Sequence, residues 1–132
     1  MLTRRRLSRL AAALVIGAGM ILATRFAPGA SAPPNPRDVV LIARDMRFYL
    51  DGQSNRNPTL RLKAGETIRL VVRNQQPGLT HDFAIPAWRV ATGALLGMDA
   101  DVVTFTVPNQ PGRHEYICNP HAAMMRGFIE VE

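Results

Sequence analysis

The sequence predicts an all-β domain, a sandwich or barrel of about seven or eight short strands. Three observations carry this. Apolar and polar residues alternate with period two over several short stretches, turn residues punctuate those stretches at close spacing, and no long amphipathic helix is written anywhere. At 132 residues the chain is long enough for one domain.

In chain order, Val39 to Leu50 is rich in Val, Ile, Leu and aromatics, with Met46, Phe48 and Leu50 in alternation. Residues 51–58 (Asp-Gly-Gln-Ser-Asn-Arg-Asn-Pro) form a loop by composition. Leu60 and Leu62 alternate with Arg61 and Lys63, and Ala64-Gly65 turns the chain. Ile68, Leu70 and Val72 then alternate with Thr67, Arg69, Val71 and Arg73, the mark of a sheet packed on one face. Asn74 to Gly78 is a further turn, and Thr80 to Ile85 reads as a strand that Pro86 ends. Residues 87–100 read as a short helix or an irregular loop, with Gly93 and Gly97 opposing a long helix. Strands are expected again over Val102 to Val107, Arg113 to Cys118 and Gly127 to Glu132.

The charge is unevenly placed. The formal net charge is +6, but the first 32 residues hold Arg4, Arg5, Arg6, Arg9 and Arg25 and no acid. From residue 33 onward, 11 basic residues face 10 acidic ones. A nucleic-acid partner therefore has no support in the domain itself. Residues 1–32 read as an export signal: a positive start, an apolar run from Leu10 to Ala23, and small residues at Ala30-Ser31-Ala32. The Thr3-to-Arg9 segment resembles a twin-arginine signal. The 14-residue run is short of the roughly 20 residues that span a bilayer. The segment is thus expected to be removed or to tether the chain, giving a periplasmic location or one on the outer face of the cytoplasmic membrane. Residues 33–37, with Pro33, Pro34 and Pro36, read as a linker to a domain over 38–132.

The chemistry lies near the end of the chain. Cys118 is the only cysteine, and two of the three histidines, His114 and His121, flank it. An exported chain with one cysteine forms no internal disulfide, and a lone thiol there needs something to hold it. A thiolate, imidazoles and a thioether are the donors that suit copper. His114 and Cys118 share a strand face but stand about 13 Å apart at ~3.3 Å per residue, so His114 is excluded from the same ion. Asn119-Pro120 favours a turn that returns His121 to Cys118. Met124 or Met125 can then approach, and a second imidazole has to come from His81.

The run Tyr116-Ile117-Cys118-Asn119-Pro120-His121-Ala122-Ala123-Met124-Met125-Arg126-Gly127 resembles the C-terminal ligand loop of the cupredoxins, the small blue copper proteins such as plastocyanin, amicyanin and azurin. His81-Asp82-Phe83-Ala84-Ile85-Pro86 is similar to the segment carrying their first histidine, and Pro111-Gly112-Arg113-His114-Glu115-Tyr116 to their approach to the cysteine. The resemblance spans residues 38–132 and implies a Greek-key cupredoxin fold binding one type 1 copper ion. It implies His81, Cys118 and His121 as strong ligands and Met125 as the axial one. Met124 is the rival, but Met125 directly precedes Arg126-Gly127, as the axial residue precedes a basic residue and glycine in amicyanin and azurin. Relatives often carry Asn where this chain has Asp82, and a carboxylate beside the metal is expected to lower the reduction potential.

The function so implied is that of a monomeric one-electron carrier, not an enzyme, serving redox partners such as a cytochrome or a membrane oxidase. His121 would be the exit for the electron, with Ala122, Ala123, Pro86 and Trp88 as a small apolar docking patch. Copper delivery or buffering is the alternative, although no Met-rich or His-rich tract is present. A multicopper oxidase or a copper nitrite reductase needs more histidines than three, and a binuclear centre needs a second cysteine.

Overall fold

The protein is described from a computed structural model, over residues 35–132. The expected export signal and the start of the expected linker lie outside the described residues. Within these, no helix is long and apolar enough to cross a membrane.

The all-β expectation holds. Strands β1 (Arg37–Arg44), β2 (Arg47–Leu50), β3 (Leu60–Leu62) and β4 (Thr67–Asn74) are followed by four two-residue strands: β5 (Thr80–His81), β6 (Ala84–Ile85), β7 (Val90–Ala91) and β8 (Leu95–Leu96). Longer strands return as β9 (Ala100–Thr106), β10 (Gly112–Ile117) and β11 (Arg126–Val131). Seven strands are thus three residues or longer, and the expected number is that of these longer strands. One sheet has the order β2-β1-β4-β9, a second β3-β11-β10-β6-β7, and β5 pairs β8 in a small third. β1 runs parallel to β4 and β3 parallel to β11; every other pair is antiparallel.

β1 begins at Arg37, one residue before the expected domain start, because the parallel register sets Arg37 opposite Ile68 and its guanidinium pairs with Glu66. The stretch from Val39 to Leu50 holds a hairpin. Asp45 and Met46 both take positive φ, 51° and 56°, as a two-residue type I′ connection requires. No Asn-Gly or Asp-Gly announces that turn. The expected strand from Thr80 to Ile85 is divided: β5 joins β8 while β6 joins β10, and Phe83 between them is wholly buried. The ambiguous stretch after Pro86 is a 3-10 turn over Pro86–Trp88 followed by β7 and β8.

Alternation places the core between the two large sheets. Leu41, Ile68, Leu70 and Val72 come from one sheet and Leu60, Leu62, Ile129 and Val131 from the other. Phe48, Phe83 and Tyr116 fill the centre, with Phe83 stacked on Tyr116 at 5.3 Å and Phe48 edge-on to both. The Tyr116 hydroxyl, buried, donates to the Pro58 carbonyl at 2.6 Å. Tyr116 faces Gly127 in the β10–β11 register, and a Cβ on Gly127 would fall inside the tyrosine ring. Glycine is required there by close approach, not by its backbone angle.

Gly127→Ala is accordingly expected to destabilise the fold by about 3 kcal/mol, the upper range for forcing a carbon into a packed core. Denaturant unfolding of the metal-free protein measures this; a loss under 1 kcal/mol contradicts the packing.

Candidate metal centre

The donors gather where β5 and β10 end and β11 begins. β10 delivers Cys118 as the residue after its last, and a 3-10 turn over Asn119–His121 reverses the chain. Pro120 is the second residue of that turn, within its first turn of backbone, where its missing N–H costs nothing. The turn closes with the His121 N–H donating to the Cys118 carbonyl at 3.1 Å, and the Met124 and Met125 N–H groups donate to the His121 carbonyl. The Cys118 N–H then donates to the Met125 carbonyl at 2.9 Å. That bond closes the loop on itself and sets Met125 beside the cysteine.

His81 comes from β5, whose Cα partner is Leu95. Its Nδ1 lies 3.7 Å from Cys118 Sγ, and the Nδ1 of His121 lies 3.6 Å from the same sulfur. The two imidazole rings are 5.0 Å apart. One donor atom from each of the three residues falls within 4.8 Å of the others. Cys118 and His81 are wholly buried and His121 half-buried. One soft sulfur and two imidazole nitrogens around one point fit copper.

The methionines are separated by burial. Met125 is 0 % exposed and Met124 is 44 % exposed, so only Met125 turns inward. His114 lies outside the group, as expected: its Nε2 is 2.9 Å from the Gln110 carbonyl and its ring meets Trp88 at 5.0 Å. Trp88 also meets Phe105 at 5.9 Å, so its half-buried ring packs against β9 and β10. Large exposed apolar groups close to the site are Met124, on the cysteine loop, and Leu96, on β8 opposite Thr80 of the His81 strand.

Three further residues support the site, and two of them, Asn57 and Asn74, carry no signal in the sequence. Asp82 is turned toward the cysteine loop. Its carboxylate accepts from the Asn119 backbone N–H at 2.6 Å and from Asn119 Nδ2 at 2.8 Å, tying the His81 segment to the cysteine loop. Asn57, in the loop after β2, accepts from the Phe48 N–H and donates from Nδ2 to the Met124 carbonyl at 2.9 Å. Asn74, almost wholly buried, donates to the Leu79 and Leu95 carbonyls and so fixes the segments on either side of His81. Such residues read as ordinary loop polar groups until their partners are known.

Burial shifts both buried donors away from their charged forms. The His81 imidazole is held below its ordinary value of 6.5, first by burial and then by nearby His121, against an opposing pull from Asp82. Burial also pushes the Cys118 thiol up, partly offset by backbone N–H groups of Asp82 and His121. Without metal the site is thus a neutral imidazole beside a protonated thiol, and metal uptake has to release the thiol proton.

Comparison with known proteins agrees with this geometry. Residues 54–132 match the family model of copper binding proteins, plastocyanin/azurin family. That is more than half of the chain, and the chain belongs to this family. Auracyanin A, a "blue" copper protein from Chloroflexus aurantiacus, is 17 % identical with a TM-score of 0.55, covering 74 % of this chain and 99 % of its own. Rusticyanin from Thiobacillus ferrooxidans is 25 % identical with a TM-score of 0.50, covering 72 % and 76 %. A multicopper oxidase from Aquifex aeolicus gives 0.61 at 16 % identity, but the match covers 76 % of this chain and 27 % of the oxidase. No curated protein matches in sequence. The cofactor is copper, and the fold is that of the cupredoxins.

The low His81 value makes a pH prediction for the metal-free protein. The folded imidazole titrates below the unfolded one, so the unfolded state binds the extra proton first. Stability from neutral His81 is present above pH 6.5 and is lost as pH falls from there through the lower folded value. Denaturant unfolding between pH 8 and 5 should show this decline, and His81→Gln should flatten it; equal slopes in the two proteins contradict the assignment.

Proposed function

We propose that the protein is a mononuclear blue copper protein that carries single electrons between redox partners, with His81, Cys118 and His121 as the strong ligands and Met125 as the axial one. The observation that carries this is the buried Cys118 sulfur with the Nδ1 atoms of His81 and His121 at 3.7 Å and 3.6 Å.

Copper at such a site supplies reversible one-electron redox chemistry. The chain's residues hold donors in a single arrangement: β5 sets His81, the Cys118–Met125 backbone bond closes the loop, and the Asp82–Asn119 bonds join the two. A donor set that is already placed has little to rearrange when the charge at its centre changes. His121 is the ligand nearest solvent and is the electron's exit. Exposed Ala123, Met124 and Leu96 offer apolar surface on the segments beside it. This is a small surface suited to brief contact with a cytochrome or a membrane oxidase.

Complete burial of His81 and Cys118 disfavours the delivery or buffering reading, since release would have to open the loop. Three histidines and one cysteine support a carrier over an enzyme. The arginine-rich start of the sequence supports export, to the periplasm or the outer face of the cytoplasmic membrane.

Adding Cu(II) to the protein is expected to produce an intense blue charge-transfer band that bleaches with reductant, returns with oxidant, and is absent in Cys118→Ser. Met125→Leu is expected to shift the reduction potential, and Met124→Leu to leave it unchanged. A colourless wild type, or colour that survives loss of the thiol, contradicts the proposal. A shift confined to Met124→Leu reverses the axial assignment.

A further inference from the structure

Gln76 stands five residues before His81 and is not a ligand. Gln76-Pro77-Gly78-Leu79 is a type II turn: Gly78 has φ 79°, and the Leu79 N–H donates to the Gln76 carbonyl at 3.3 Å. Pro-Gly is the sequence this turn favours at its centre. The Gln76 N–H donates to Asn74 Oδ1 at 2.8 Å, and Asn74 is itself buried with its amide bonded to two carbonyls. The Gln76 backbone is therefore held at a fixed place against the end of β4.

Its side chain reaches two groups. The Met46 N–H, in the β1–β2 turn, donates to Gln76 Oε1 at 3.2 Å. His81 Nε2 is 3.1 Å from the same oxygen. A backbone N–H can only donate, so the atom it meets has to be the amide oxygen and not the amide nitrogen. An oxygen has only lone pairs to offer a ring nitrogen, so His81 Nε2 has to carry the hydrogen. In a neutral imidazole the other nitrogen is then the lone-pair atom, and that is Nδ1, which faces Cys118 Sγ.

We propose that Gln76 is a positioning residue for the copper site: its amide oxygen, oriented by the Met46 N–H, holds His81 as the Nε2–H tautomer with the Nδ1 lone pair on the metal side. The type I′ turn between β1 and β2 thereby becomes part of the support of a ligand far from it in sequence. The same bond keeps the ring from rotating about its own axis when the charge on the metal changes, and an acceptor on the outer nitrogen raises the basicity of the inner one. The inference rests on His81 being a ligand through Nδ1.

The test uses the full chain with two substitutions. Gln76→Leu keeps the size and removes the acceptor; Gln76→Glu keeps an acceptor and adds charge. Two-bond proton–nitrogen correlation spectra of the metal-free protein report the His81 tautomer directly. Competition with a chelator gives copper affinity, and voltammetry gives the potential. The wild type is expected to hold His81 as Nε2–H alone. Gln76→Leu should mix the tautomers and weaken copper binding by about 10–100-fold, whereas Gln76→Glu should retain the binding and lower the potential. An Nδ1–H tautomer in the wild type overturns the proposal, as does Gln76→Leu with unchanged affinity and potential. Should Gln76→Leu not fold, an unchanged potential in Gln76→Glu overturns it alone. A wild type that holds the Nε2–H tautomer yet takes up no copper defeats the copper reading itself, so the tautomer spectrum separates the two failures.

Discussion

The structure depends on keeping a buried sulfur beside two imidazoles that have no reason to stay there unaided. Cys118 and His81 are shut away from water, and the sulfur's contacts with the His81 and His121 rings at 3.7 Å and 3.6 Å are weak. What holds them is a set of backbone and amide hydrogen bonds around them. Asp82 to Asn119, Gln76 to Met46, Asn74 to Leu95 and Asn57 to Met124 join segments distant in sequence, and Gln76 to His81 and Asn74 to Leu79 brace the His81 segment locally. None of these bonds uses the Cys118 sulfur or an imidazole Nδ1, so they hold the segments in place while leaving the donor atoms free for copper. This is how a protein limits the rearrangement that would otherwise slow electron transfer.

The sandwich beneath gives those bonds a rigid base. Phe48, Phe83 and Tyr116 occupy the centre at ring separations of 5.3–5.8 Å, and two of them lie within two residues of a proposed ligand. Phe83 follows His81 by two positions and Tyr116 precedes Cys118 by two. Anchoring both ligand segments in one aromatic cluster transmits the precision of the core to the site. The close contact of Tyr116 with Gly127 extends this to the strand that follows Met125, so the loop is pinned at both ends.

Much of this was legible in the sequence. The alternation in β3 and β4 marked their inward faces because one side of each is buried, and the spacing Cys118-x-x-His121 marked the loop because Asn-Pro has to turn. Strand rise alone removed His114. Other parts were hidden for identifiable reasons. The β1–β2 hairpin turns on Asp45-Met46, which carries no glycine. The break between β5 and β6 leaves no composition signal, because Phe83 and Ile85 suit a continuous strand as well as a divided one. Asn57, Asn74 and Gln76 act through partners up to 67 residues away, and a polar side chain in a loop does not announce such a partner. Between Met124 and Met125 the residue types are equal; the Arg126-Gly127 that follows marks Met125 by resemblance, and Met125 is the buried one of the two.

The central claim is that one donor arrangement serves both oxidation states. X-ray absorption of the copper-loaded protein, recorded oxidised and then reduced at neutral pH, tests it most directly. The account predicts the same first shell in both states, two imidazole nitrogens and one short sulfur, with small changes in distance. A reduced spectrum that has lost an imidazole, or that shows a second short sulfur, would contradict it.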